Sequence, residues 1–229
     1  MTISATSLEQ RLADLRERVE VAADRANRDP KGITITAVSK TVDRPAMLEA
    51  YELGIRHFGE NRVQDTRAKL SVPLPADTTM HLIGQLQTNK ANHAVQLFQV
   101  IESVDRSSLI DELEKRAAKQ AKVLPVLLQV NVAGEAQKAG CDPTDASALA
   151  WQISQSSHLQ LNGLMTMAPL VDDAEEVRRV FSGLRKLSDQ LQEAESIALP
   201  VLSMGMTNDF EVAIAEGATH IRVGRAIFG

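Results

Sequence analysis

Eight short apolar runs, separated by longer stretches with helical spacing, run through this chain, and few folds accommodate that alternation. The runs cover 33–40, 55–59, 80–84, 98–104, 126–131, 161–167, 201–205 and 220–224. Each has the length of a strand, and the first, Ile33-Thr34-Ile35-Thr36-Ala37-Val38-Ser39, is rich in β-branched residues. Three intervening stretches, 106–121, 143–155 and 172–195, read as helices, and the last is rich in Leu, Arg, Lys, Gln and Glu, which are strong helix formers. Eight strands with interposed helices predict an α/β fold, a closed (β/α)8 TIM barrel. A doubly wound open sheet is the alternative, and the run at 55–59 is short enough to be a loop. No G-x-G-x-x-G or G-x-x-x-x-G-K-[ST] follows the first strand, however, where a nucleotide-binding sheet normally carries one. Ahead of the barrel, Ser7 and Gln10 have the form of a capping box, and Leu8, Leu12, Leu15 and Val19 recur at helical spacing. Residues 7–28 therefore read as an extra N-terminal helix, ended by Asp29-Pro30-Lys31-Gly32, and 33–229 as the barrel of a single domain.

Composition narrows the function classes. With 229 residues, 44% of them hydrophobic, the chain can bury a sizeable core. A net charge of −5 and dispersed lysines and arginines argue against nucleic acid as a partner. No apolar run approaches the roughly 18 residues that span a bilayer, and 1–20 lacks a signal-peptide core, so no membrane partner and a cytoplasmic location are expected. The single cysteine, Cys141, has no partner for an intrachain disulfide. His81, His93, His158 and His220 show no metal-ligand spacing, and no G-x-S-x-G elbow is present.

Three places carry candidate chemistry. Lys40 closes the first run on the same alternating face as Thr34, Thr36 and Val38. At the C-terminal end of a barrel strand it projects into the mouth, where a partly desolvated amine can attack a carbonyl to form a Schiff base. Its plainer reading is a solvated lysine at a strand end. The seventh and eighth runs lead into Ser203-Met204-Gly205-Met206-Thr207-Asn208-Asp209 and Gly224-Arg225, loops where barrels commonly bind phosphate and where Ser203 and Thr207 add hydroxyls. These also read as ordinary turns, with Asn208 and Glu211 as a helix cap and its third-position partner. Arg222 shares an inward face with His220 and Gly224, and a buried guanidinium needs a partner, Glu60 or Glu102 in a purely structural role. In the second run His57, Gly59 and Asn61 share a face; Asn61 suits a ligand hydroxyl or, more commonly, a helix cap.

The segments AVSKT, HFGENRVQD, HLIGQLQTNK, IESVDR, LQVNVAGEAQKAG, GLMTMAP, LSMGMTNDFEVAI and THIRVGRAIFG resemble, in order, the successive blocks of the pyridoxal 5'-phosphate homeostasis proteins, the YggS or proline-synthase-co-transcribed family. The resemblance implies a barrel of the alanine racemase N-terminal domain type with pyridoxal 5'-phosphate at the strands' C-terminal ends. It implies that Lys40 forms the Schiff base and that Ser203, Thr207, Gly224 and Arg225 lie in the phosphate region. Arg222 would face the pyridine nitrogen, and Asn61 would lie in the pocket. Gln85 and Thr88 stand in GQLQTNK where GHLQSNK is usual, and Thr207 replaces the usual serine.

What the family resemblance implies for function is a carrier or buffer of vitamin B6 cofactor, not an enzyme, with cofactor-dependent apoenzymes as receiving partners and a monomeric state. An arginine at the ring nitrogen weakens the electron sink that carbanion chemistry uses. A racemase further needs a proton carrier on each face of the substrate. The sequence here runs out at Phe228-Gly229 without a second domain, and its single tyrosine, Tyr51, falls on the helix after the first strand. The alternatives are a racemase-like enzyme acting on amino acids and a Schiff-base aldolase acting on a phosphosugar.

Overall fold

The computed structural model describes residues 6–135, 137–171 and 173–229. Eight parallel strands close a barrel in sequence order: β1 Thr34–Val38, β2 His57–Glu60, β3 Thr79–Leu82, β4 Val100–Val104, β5 Leu124–Gln129, β6 Leu159–Met165, β7 Val201–Ser203 and β8 His220–Val223. All eight apolar runs hold a strand, including the short one at 55–59. Closure comes from β1 pairing with both β2 and β8, with Thr36 opposite His57 on one side and Arg222 on the other.

Helices α1 Leu8–Arg25, α2 Arg44–Glu52, α3 Val63–Lys69, α4 Ala91–Leu97, α5 Ser107–Lys119, α6 Ala146–Ser154, α7 Ala174–Glu195, α8 Phe210–Ala215 and α9 Arg225–Phe228 surround the sheet. Outward strand residues such as Ala37, Phe58, Ile101, Val126 and Ile221 are fully buried beneath them, which is where the apolar core sits. The helix expected over 172–195 begins at Ala174, capped by Asp173, whose carboxylate accepts from the Glu175 and Glu176 amides; Asp172 lies outside the described residues.

The N-terminal helix is less of an addition than its position in the sequence suggests. The helix after β8, α9, has only four residues, and α1 packs against α2, α8 and α9, filling the place in the outer ring that a full eighth helix would take. Its buried stripe is Leu8, Leu12, Leu15, Val19, Ala22 and Ala23, and Arg11 and Arg28 donate to the carbonyls of Ile227 and Ile214 at 2.7 Å each. The cap is half of the expected box. Ser7 Oγ accepts from the Gln10 amide at 3.1 Å, while the Gln10 side chain turns away to Asp14.

Two other caps differ from the sequence reading. Helix α3 starts after Arg62, not Asn61, and has no side-chain cap. Helix α8 starts after Asp209, whose carboxylate accepts from the Met206 amide instead of capping, and Glu211 reaches across to Arg18 at 2.5 Å. Both departures fall at the C-terminal face of the barrel, where the loop shape is set by tertiary contacts.

Candidate functional site

The barrel's C-terminal face collects the residues singled out in the sequence. Lys40 sits two residues beyond β1 in a turn and is exposed. Asn61 follows β2 directly and is half-buried, and the backbone after β3 crosses it so closely that a Cβ on Gly84 would lie 2.2 Å from the Asn61 carbonyl oxygen. Only glycine permits that approach. Gly205 bends the loop after β7 with a φ of +94°, and a side chain there would strike Ala213 and Phe210. The same glycine's carbonyl accepts from the Arg222 amide at 2.9 Å, tying this loop to β8. Gly224 abuts Val38, so the end of β8 lies against the strand that leads to Lys40. Thr207, half-buried, and Arg225, exposed, occupy the loops after β7 and β8.

Beneath this rim the lumen is polar. Arg222 is only 4% exposed; its Nη1 donates to Ser203 Oγ at 2.6 Å and its Nη2 to the Thr166 carbonyl at 2.8 Å. Ser203 in turn donates to Glu102 Oε2 at 2.6 Å, and the guanidinium stands 3.9 Å from the same oxygen. Of the two carboxylates expected as partners for Arg222, Glu102 is the one present; Glu60 lies on the outer side of the sheet with Lys69. The hydroxyl of Ser203, read from sequence as a phosphate donor, has its proton directed at Glu102 in this arrangement.

Glu102 also accepts from His81 Nδ1 at 2.7 Å, and His81 Nε2 meets His57 Nδ1 at 2.9 Å. His220 closes the cluster, its ring 6.1 Å from that of His57 and 6.3 Å from that of His81. Burial alone would push the Glu102 carboxyl up, but the hydrogen bond from His81, the charge of Arg222 and the Ser203 hydroxyl together hold it below the usual carboxylate range. Burial holds His57 and His220 down to about 4. This cluster was not assembled from the sequence, although the signal was there. His57 lies two residues before the inward Gly59 and His220 two before Arg222, so strand parity alone places both in the lumen.

Other sequence readings fall away from this face. Tyr51, near the end of α2, donates to Asp77 at 2.7 Å ahead of β3, at the opposite end of the barrel. Cys141 is buried, and burial with the charges of Asp105 and Asp145 pushes its thiol up to about 12, which leaves it unreactive. Among the described residues no cluster of His, Cys, Asp or Glu has a metal-binding arrangement, and no helix is long and apolar enough to cross a membrane.

Residues 11–229 match the family described as alanine racemase, N-terminal domain. At the level of folds, alanine racemase from Clostridium difficile superposes with a TM-score of 0.72 at 13% identity, over 94% of this chain and 56% of that one. Much nearer in sequence are relatives that this chain matches over almost their whole length. The pyridoxal phosphate homeostasis protein of Aquifex aeolicus is 41% identical over 96% of both chains, and that of Pseudomonas aeruginosa is 38% identical over 98% of this chain and 96% of its own. The structure of PipY from Synechococcus elongatus, described with PLP bound, aligns at a TM-score of 0.86 and 41% identity over 97% of this chain and 100% of that one. The chain belongs to the pyridoxal phosphate homeostasis protein family, within the barrels of the alanine racemase N-terminal type.

Proposed function

We propose that this protein binds pyridoxal 5'-phosphate at the C-terminal mouth of the barrel and serves in vitamin B6 homeostasis as a carrier or buffer, with Lys40 as the amine that bonds to the cofactor aldehyde. When bound, this cofactor supplies an electrophilic carbonyl and a ring that withdraws electrons. The residues present fit such a molecule. Arg222 is a buried cation with five N–H donors. It makes two hydrogen bonds to described residues and meets its nearest carboxylate only at 3.9 Å, so it retains donor capacity for a ring nitrogen. Opposite it in register, Thr36 Oγ1 is buried with no partner among the described residues, an acceptor or donor left for a ligand or water. The glycine-bearing loops after β7 and β8 suit the phosphate, with Thr207 and Arg225 beside it, and Asn61 stands on the β2 side.

The observation that carries the reading is this pairing of an exposed amine after β1 with a buried, donor-rich Arg222 on the strand next to it. Arginine at the ring nitrogen keeps the ring unprotonated, because it donates and never accepts, and that damps carbanion chemistry. Tyr51, turned to Asp77, supplies no second proton carrier at the mouth. Both support holding the cofactor without turning substrate over. The receiving partners are cofactor-dependent apoenzymes, and the barrel acts as a monomer in the cytoplasm.

The test is optical and chemical. Purified protein mixed with pyridoxal 5'-phosphate gains a visible absorption band, and borohydride reduction fixes the cofactor's mass on the peptide containing Lys40; Lys40→Ala abolishes both. A band that survives in Lys40→Ala overturns the assignment of the amine. Sustained turnover of L- or D-amino acids, lost in that variant, overturns the carrier reading in favour of an enzyme.

A further inference from the structure

The lumen contains an unbroken file of hydrogen bonds that the proposed function leaves unused. It begins at His57, the first residue of β2 and hence at the N-terminal end of the barrel, and passes through His81, Glu102 and Ser203 to Arg222. The first member is half-buried, whereas His81, Glu102, Ser203 and Arg222 are all at most 4% exposed. The file thus runs from the solvent-accessible floor of the barrel to the guanidinium beneath the mouth.

Its proton inventory is constrained. Glu102, held as a carboxylate, only accepts, so His81 carries a proton on Nδ1. With His81 neutral, its Nε2 accepts and His57 must donate from Nδ1, leaving His57 Nε2 free. A proton that binds His57 Nε2 lets the Nδ1 proton of His57 pass to His81 Nε2, with no heavy atom moving. His57 ends neutral in its other tautomer and His81 ends as an imidazolium against Glu102. One proton enters and one charge is gained, now a single residue from the carboxylate that Arg222 shares.

We infer that this file is a proton relay that links the floor of the barrel to the cofactor site, so that protonation at His57 tightens the hold on an anionic ligand at the mouth. The inference rests on the reading that the ligand lies over Arg222. Its direction follows from linkage: an anion above Arg222 favours an added positive charge in the lumen, and by reciprocity that charge favours the anion. The charged and titratable groups facing the relay are Glu102 from β4, His220 and Arg222 from β8, and Asp209 from the loop after β7. Glu102 acts here as a positioning residue, since it holds Arg222 through Ser203 and does not reach the mouth.

Two measurements on the full chain decide it. In the protein without cofactor, nitrogen NMR of the imidazoles should find both His57 and His81 in the Nδ1–H form at neutral pH and both responding to one shared protonation step; independent titrations, or His57 in the Nε2–H form, overturn the relay. The dissociation constant for pyridoxal 5'-phosphate is then compared at pH 8 and pH 4, where His57 takes up its proton, in wild type and His57→Phe, which share the Schiff base's own proton chemistry. Wild type should gain about fivefold in affinity over the variant on acidification, the lower end of common coupling strengths. Identical pH dependences overturn the inference. Should His57→Phe fold poorly, Glu102→Gln keeps the shape and removes the carboxylate, and it should abolish the same pH response. A wild-type chain that takes up no cofactor at either pH defeats the binding reading, while the imidazole titrations still judge the relay by themselves.

Discussion

Two buried glutamates on opposite faces of the same sheet are handled in opposite ways. Glu102, in the lumen, is completely enclosed, and both its oxygens are occupied by rigid groups: His81 on one side, Ser203 and the edge of Arg222 on the other. Glu60, on the outer face, is 1% exposed, yet it is met at one oxygen only, by Ser39 and Lys69, and its Oε2 has no partner among the described residues. Lys69 is a long side chain at the edge of α3, and it also donates to the Ser39 carbonyl one residue before Lys40 at 2.6 Å. The lumen charge is built into strands and cannot escape; the outer one is a flexible clamp under the reactive turn. A buried ion pair gains stability only when the remaining hydrogen bonds are made, so the first arrangement specifies geometry and the second tolerates movement.

That contrast can be broken most severely at its centre. Glu102→Leu leaves Arg222 and His81 buried without a carboxylate and should cost about 3–5 kcal/mol in denaturant unfolding; a loss below about 1 kcal/mol would mean the lumen adapts as freely as the outer face. Acid should sharpen the difference next. His57 and His220 sit near 4 in the fold against 6.5 when unfolded, so the unfolded chain takes up protons first and stability falls as pH drops from about 6.5 to 4. Glu102, held below its unfolded value of 4.5, contributes stability present above that value and lost as pH falls further. Melting temperature should therefore drop by about 5 °C or more across the first interval, and replacing His220 with Asn should shrink the drop; a flat profile would remove the histidines from the account. The smallest effect is expected on the outer side. Lys69→Met keeps the stem and removes the ammonium, at a cost of about 1–3 kcal/mol for the unpaired groups, measured by the same unfolding curves; a cost equal to that of Glu102→Leu would erase the distinction.

The barrel was legible because each apolar run was bounded by a helical stretch or a turn, and three of the four residues of even the short β2 fell inside its run. Inward and outward faces were legible too: parity placed Arg222 inward, and the strand register bears this out. What the reading left open was the partner of Arg222. Glu60 and Glu102 are equally charged and equally near a strand, but one sits at an outward and one at an inward position, and only closure of the barrel sets Glu102 against Ser203, a hundred and one residues away. Cap assignments failed for a related reason. Asn61 and Asn208 have the chemistry of caps, but the crossing of Gly84 over Asn61 and the bend at Gly205 impose loop shapes that local propensity does not contain.

The helix that completes the outer ring ties the beginning of this chain to its last residues, with Arg11 reaching the carbonyl of Ile227, two hundred and sixteen positions later. The apolar stripe of that helix meets α2 soon after it in the sequence, but most of what it covers, α8 and α9, is made much later. A nascent chain therefore carries a partly unshielded, sticky face until those helices appear, and sealing the cylinder comes late in its folding.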